Sequence, residues 1–483
     1  MLAVFVGLTL VLVRERSGEV GLWDWDTYGR LQFIHHYEPH IWVDGHLMYH
    51  GVMRLLMALG LRDLTAIEVE TAASVAALLC MLWWICRRER LSTAHTWLVL
   101  AAATIGSPGL VELYLMIEDN VLYLPIVLGV YYLLYMRHAG RRDAVRRGII
   151  VGALIAIAML INVSLLVMLF ALAAAPLVWL RDRTRALGLV VAGGTAVAAY
   201  YLSHVVLFPG AKIALHAFLP QALHLQDFAQ SSTPIVSLAR FEQYRGGLRA
   251  IGVAPSVHLM TLGPVLRVIL LGVIPKLLVV LWGTLVVWLV RFRRAELLTA
   301  LRTRLDLLAL IAIGLTFPYF YEPNLIERWD LFWVGCLFAL VPLFKLAPSR
   351  FAVALVVSII ALQGVGTVVA VAHHYGLGWD TPGLAATRAT AEVIKQRRGN
   401  LVVLPFELDR LLLADLKYRL RGRTVYLVRD DGSTVSCVRL IDLVEHPVEI
   451  GELQTALAAP GNADSYVDPA LSPRSLAALG LAP

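Results

Sequence analysis

From Ala66 to Ala372 the sequence alternates between apolar runs and short clusters of arginine, and this pattern leaves few folds open. Runs near 66–86, 95–108, 120–136, 148–161, 164–180, 186–208, 264–290, 305–321, 330–345 and 351–372 read as bilayer spans. In hydrocarbon every backbone N–H and C=O must be satisfied within the protein, so such runs form helices. The clusters Arg87–Arg90, Arg137–Arg147, Arg181–Arg185, Arg291–Arg304 and Lys345–Arg350 then all fall on one side, which makes that side cytoplasmic. The stretch 148–180 is basic at both flanks and needs an even number of crossings, so it divides near Asn162.

Composition agrees: 59% of the residues are hydrophobic and only 16% charged, against roughly a quarter charged in soluble domains. The net charge of +7 is spread in short basic runs between apolar segments, which suits anionic lipid and excludes a nucleic-acid footprint. Cys80, Cys86 and Cys336 lie in or beside apolar runs and Cys437 stands alone in the tail, so no structural disulfide is expected. Residues 1–13 would make about 20 Å of helix. They have no basic leader and no small-residue cleavage site, and read as a short first span.

The expected fold is therefore an all-α polytopic membrane domain of about eleven transmembrane helices over 1–372, followed by a small α/β extracytoplasmic domain over 373–483. In that tail "ATAEVIKQRR" is helix-like, "NLVVLPF" strand-like, "ELDRLLLADLKYRL" helical by period, and "TVYLVRDDG" a strand ending in a turn. It contains no Gly-rich phosphate loop and no catalytic triad.

The exterior side receives the chemistry-bearing residues. The first loop carries "WDWDTYGR", with Asp24 and Asp26 between aromatic residues. Tryptophan and tyrosine at a bilayer rim are ordinary anchors, and loop aspartates are usually solvated. A carboxylate partly desolvated among rings would nevertheless gain basicity suited to proton abstraction. Glu118 and Asp119 open the fourth span; they serve equally as helix N-terminal acids or as a carboxylate pair for an acceptor or a divalent cation such as Mg2+ or Mn2+. No motif demands a cofactor. Glu327 and Arg328 precede a late span, either as an ion pair or as a guanidinium fork for phosphate. Arg240, Arg245 and Arg249 lie in an amphipathic piece of the loop 209–263, where lipid anchoring and phosphate contact are both open. His35, His36, His40, His46 and His50 do not have zinc spacing; most read as surface residues, and one or two could touch phosphate or sugar hydroxyls.

The order of these motifs resembles the GT-C superfamily of integral-membrane glycosyltransferases, nearest the branch of protein O-mannosyltransferases and aminoarabinose transferases. The resemblance rests on Asp26, Tyr28 and Arg30, then Gly45 to Tyr49, then Ser107, Pro108, Glu118, Asp119 and Asn120, then Glu327, Arg328 and Trp329. It covers most of the membrane region in order. It implies a polyprenyl-phosphate-linked sugar as donor, a glycan, lipid or protein hydroxyl as acceptor, and inversion at the anomeric carbon. Carried over, Asp26 is the base with Asp24 its rival, and Glu118 and Asp119 orient the acceptor or a metal. Arg328, Arg245 and Glu327 attend the donor phosphate, and Tyr28, Arg30, His46 and His50 line the substrate. The Lys-Pro-Pro of the aminoarabinose enzymes is replaced by "HLMYHG", so lipid A and aminoarabinose are not carried over. The resemblance places the protein in a bacterial inner membrane with its site facing the periplasm. A transporter or flippase is the main rival, but no repeat is visible and the acids sit at the rim rather than mid-span. A non-catalytic assembly subunit is the third reading.

Overall fold

The structure is a computed structural model. It describes residues 47–61, 63–116, 120–207, 236–252, 264–320, 329–346, 349–372, 382–406, 416, 420, 422–441 and 444–481. Two compact units emerge among the described residues: one holds 47–52 and 69–372, the other 53–68 and the tail from 382.

The helices are α1 (Leu47–Ala58), α2 (Asp63–Arg88), α3 (Thr93–Ala102), α4 (Pro108–Met116), α5 (Asn120–Tyr135) and α6 (Arg141–Ile161). A broken run, α7 (Val163–Trp179), follows, then α8 (Arg183–Leu207), α9 (Leu238–Gly252), α10 (Pro264–Phe292), α11 (Arg294–Thr303), α12 (Leu305–Phe320), α13 (Asp330–Leu346) and α14 (Arg350–Ala372). Among the described residues, five helices are long and apolar enough to cross a bilayer: Thr65–Arg88, Arg141–Ile161, Arg183–Ser203, Pro264–Phe292 and Arg350–Val368. Shorter apolar helices cover Val121–Tyr135, Val163–Trp179 and Leu305–Phe320.

Asn162 ends α6 in an extended conformation, and its side-chain oxygen accepts from the backbone N–H and hydroxyl of Ser164 to start the next turn. An amide that caps its own successor lets the chain break inside an apolar run without stranding a polar group. The expected division near Asn162 is thus a real break, but 164–180 is not one regular helix. It is a 3-10 turn followed by two short α segments. Pro108 and Gly109 open α4, because proline fits a first helical turn whose N–H groups lack partners anyway.

The most extensive helix pair is α6 with α8. On α6, Gly148, Gly152 and Ala156 recur every fourth residue; on α8 the same spacing gives Gly188, Ala192 and Ala196. A Cβ on Gly152 would sit 2.4 Å from the Ala192 carbonyl oxygen, so hydrogen alone permits this approach. Small residues at this interval let backbones meet where the hydrophobic effect supplies little drive. Gly314 plays the same part between α12 and α13, its Cβ position lying 2.4 Å from the Phe332 nitrogen. By contrast one face of α10 is open, with Val279 and Val287 largely exposed, while Leu270, Ile274 and Leu278 pack on Ile359 of α14 and Leu285 and Leu289 join the main core. An apolar surface on a helix long enough to span is suited to lipid.

One end of this unit gathers all five basic clusters. Glu89 receives Lys345 and the Tyr132 hydroxyl. Arg304 lies over the Tyr135 ring, Arg185 binds Asp306 and the Thr303 carbonyl, and Arg181 donates to the Arg302 carbonyl at 3.2 Å.

In the tail, α15 (Pro382–Gln396) precedes a five-stranded sheet ordered β4-β3-β2-β1-β5, from β1 (Leu401–Pro405), β2 (Thr424–Asp430), β3 (Val435–Ile441), β4 (Val444–Val448) and β5 (Tyr466–Val467). The sheet is mixed: β1 is parallel to β2 and β5, while β2, β3 and β4 form an antiparallel meander. The links explain this, since the short ones after Asp430 and Ile441 are hairpins, while those from β1 to β2 and from β4 to β5 are long. Helices α16 (Ile450–Ala458) and α17 (Pro473–Ala478) complete the unit, with Leu453, Leu471 and Leu479 buried beside Tyr426 and Val428. The expected helix at "ELDRLLLADLKYRL" lies almost wholly outside the described residues.

Candidate functional site

Opposite the basic end, five described elements meet. α9 packs on α4 and α12, and α13 lies against α5 and α12. The inward face of α9 follows helical spacing: Arg240, Tyr244 and Gly247 are turned in, while Glu242 and Arg245 are turned out. Arg240 is only 4% exposed. Its guanidinium donates to the Phe320 carbonyl at 3.3 Å, and its Nε has no hydrogen-bond partner. No carboxylate pairs with it among the described residues. A buried guanidinium without a counter-charge is unfavourable unless an anion completes it.

Tyr244 donates its hydroxyl to the Leu315 carbonyl at 2.8 Å, and its ring lies 5.0 Å from Trp329 and 5.3 Å from Tyr319. Trp329 is fully buried. Each such aromatic pair adds about 1 kcal/mol beyond the area it covers. α9 therefore grips both ends of the segment 321–328: Arg240 holds Phe320 before it, and Tyr244 holds Trp329 after it. One residue on, Asp330 begins α13. It is 2% exposed and accepts a hydrogen bond from the Tyr123 hydroxyl on the first turn of α5. A buried carboxylate in a membrane domain is costly, and its position at a helix N-terminus offsets part of that cost.

Of the residues singled out from sequence, Asp24, Asp26, Tyr28, Arg30, His46, Glu118, Asp119, Glu327 and Arg328 lie outside the described residues. Two lie inside. Arg245 is two-thirds exposed and forms an ion pair with Glu242 at 2.5 Å on its own helix. His50 is buried in α1 with its ring edge-on to Tyr49. Asp330, Tyr123 and Tyr244 escaped the sequence reading. Asp330 carried a usable signal, an acid in the first turn of an apolar helix, but that pattern equally describes an ordinary helix start. Among the described residues no three His, Cys, Asp or Glu side chains gather as a metal site.

These features define a polytopic helical membrane protein with a small mixed-sheet tail and a buried cation at one rim. No family model matches the sequence, and no curated protein matches it. Among solved structures, the chain is similar to the crystal structure of ArnT from Cupriavidus metallidurans bound to undecaprenyl phosphate. The likeness has a TM-score of 0.53 over 92% of this chain and 96% of that one, at 14% identity. The protein thus shares the overall fold of that structure.

Proposed function

We propose that the protein is a membrane glycosyltransferase that moves a sugar from a polyprenyl-phosphate donor to an acceptor hydroxyl, with inversion, on the extracytoplasmic face. The observation that carries this reading is Arg240, a buried guanidinium with no carboxylate partner among the described residues, in a fold shared with a protein crystallised with undecaprenyl phosphate. A phosphate at the headgroup level supplies the missing negative charge.

In this scheme the Asp26 carboxylate takes the proton of the acceptor hydroxyl, with Asp24 the alternative base. The acceptor oxygen attacks the anomeric carbon from the face opposite the phosphate. The bond from that carbon to the phosphate oxygen breaks, and the polyprenyl phosphate leaves with the electron pair. Its growing charge is stabilised by Arg328 and Arg240, an effect that is larger where water is excluded. Glu118 and Asp119 orient the acceptor or hold a divalent cation. Glu327, Arg245, Tyr28, Arg30, His46 and His50 serve as secondary donor and acceptor contacts. The contact of Tyr123 with Asp330 supports the grouping, because Asp119 and Arg328 stand only a few residues from it along the chain.

The test is mass spectrometry of lipid co-purified with the full-length protein. Polyprenyl phosphate should accompany the unmodified chain, and Arg240→Gln should reduce it about tenfold, the loss of one charge-assisted contact. Equal retention by the variant would remove the basis for the phosphate role.

A further inference from the structure

At the basic end of the membrane unit lies a cavity of about 10 Å3, lined by His138, Arg147, Val151, Arg185, Gly188 and Asp306 among others. It is far from the Arg240 rim along α12, since Asp306 lies in the first turn of that helix and Phe320 is its last residue. About 15 residues of helix rise separate the two.

Three polar atoms here have no hydrogen-bond partner among the described residues. Asp306, with a side chain 2% exposed, gives one carboxylate oxygen to Arg185 and leaves Oδ2 unmatched. Arg147 donates Nε and Nη2 to Asp143, each at 3.0 Å, and leaves Nη1 unmatched. His138, with a side chain 8% exposed, leaves Nδ1 unmatched, and its ring rests against Gly188, where a Cβ would lie 3.5 Å from Nε2. Asp143 is 3.8 Å from that imidazole, too long for a hydrogen bond. Burial first, and then the charge of Arg147, holds His138 below the usual histidine range, so its ring is neutral at neutral pH. Asp143 and Asp182 act in the opposite direction, and Arg185 in the same one.

The residues that carry this acceptor, this donor and this imidazole nitrogen all line one void the size of a single water. An anion would meet the Asp306 oxygen, and a cation would meet Arg147 and Arg185; a small neutral molecule able both to donate and to accept meets neither obstacle. We infer that this cavity is a binding site for one ordered water, which donates to Asp306 Oδ2, accepts from Arg147 Nη1 and forms its third bond with His138 Nδ1. Three bonds are the usual complement of a buried water, and the volume is that of one probe sphere. The water joins the α5–α6 loop, α6 and the start of α12, closing the clasp that Arg185 of α8 begins.

Val151 lines the cavity and is 2% exposed, so Val151→Ile places a methyl group in it. In a dry apolar void that methyl stabilises; here it displaces the water and strands three polar atoms. The expected result is a melting midpoint lower by about 2 °C or more in the full chain. An unchanged or raised midpoint overturns the inference. Added bulk also lowers a midpoint by strain, so a second measurement separates the two causes. An experimental density map of the unmodified protein should show a peak within hydrogen-bonding distance of all three atoms. Ordered side chains around a featureless cavity overturn it.

Discussion

Arg240 and Arg245 are five residues apart on one helix, about 140° around its axis, and that angle separates their environments. Arg245 meets Glu242 in the open, an exposed pair of little energetic consequence. Arg240 is turned under the helix against a carbonyl and is left with capacity for an anion. The same reasoning applies to the two loop aspartates. Only one of them serves as the base, the one whose carboxylate comes within proton-transfer reach of the acceptor hydroxyl. Asp26→Asn should abolish sugar transfer, by about a hundredfold or more, in protein that still folds, whereas Asp24→Asn should keep measurable activity. The readout is transfer of radiolabelled sugar by purified variants, and full activity in Asp26→Asn removes it as the base.

Among elements, the hairpin joining β2 to β3 shows how a short sequence sets a local structure. Asp431 accepts from the backbone N–H groups of Ser433 and Thr434 at 2.8 and 2.6 Å and from both their hydroxyls. Gly432 takes a φ of +82° that other residues rarely adopt. Arg474 of α17 closes the turn from outside by donating to the Gly432 and Ser433 carbonyls. Hydrogen bonds from Thr434 and Ser433 hold the Asp431 carboxyl well below the usual carboxylate range, and Ser472 lowers Asp430. Because the folded-state value is depressed, the stabilisation is fully present above the unfolded value, about pH 4, and is lost as pH falls through the folded one. The melting difference between the unmodified chain and Asp431→Asn, followed by the strand signal, should be greatest above about pH 4 and shrink below it. A difference that does not change with pH would show that the turn draws nothing from the ionised carboxylate.

For the whole molecule, the side on which the tail sits decides whether the proposed chemistry can be extracytoplasmic. Cys437 is buried, donates weakly to the Val448 carbonyl, and is pushed up to about 11 by burial and then by Glu452, so it stays unreactive at neutral pH. A cysteine introduced at the exposed Ala458 is therefore a clean reporter within the tail. In intact cells Ala458→Cys should react with a membrane-impermeant maleimide. Reaction only after the cells are opened would reverse the proposed orientation and put the tail on the same side as the arginine clusters.

Much of this architecture was legible in the sequence. The apolar runs at 120–136, 186–208, 264–290, 305–321 and 351–372 match α5, α8, α10, α12 and α14 closely, because hydropathy is a local property and the bilayer imposes a length. The strands at 401–405 and 424–430 were legible for the same reason. Helices α9 and α11 were harder, since both carry several charges and neither is a span. The site was legible only as residue types in order: it could not be known that Arg240 lies beneath Tyr244, or that Tyr123 reaches Asp330 across 207 positions. The sequence by itself determined which segments enter the membrane, where Asn162 breaks a run and that the basic clusters share one end, since each follows from local composition and the need to satisfy the backbone. Only the tertiary structure decided which arginine is buried with no counter-charge among the described residues and which glycines let helices touch, because burial and pairing belong to residues far apart in the chain.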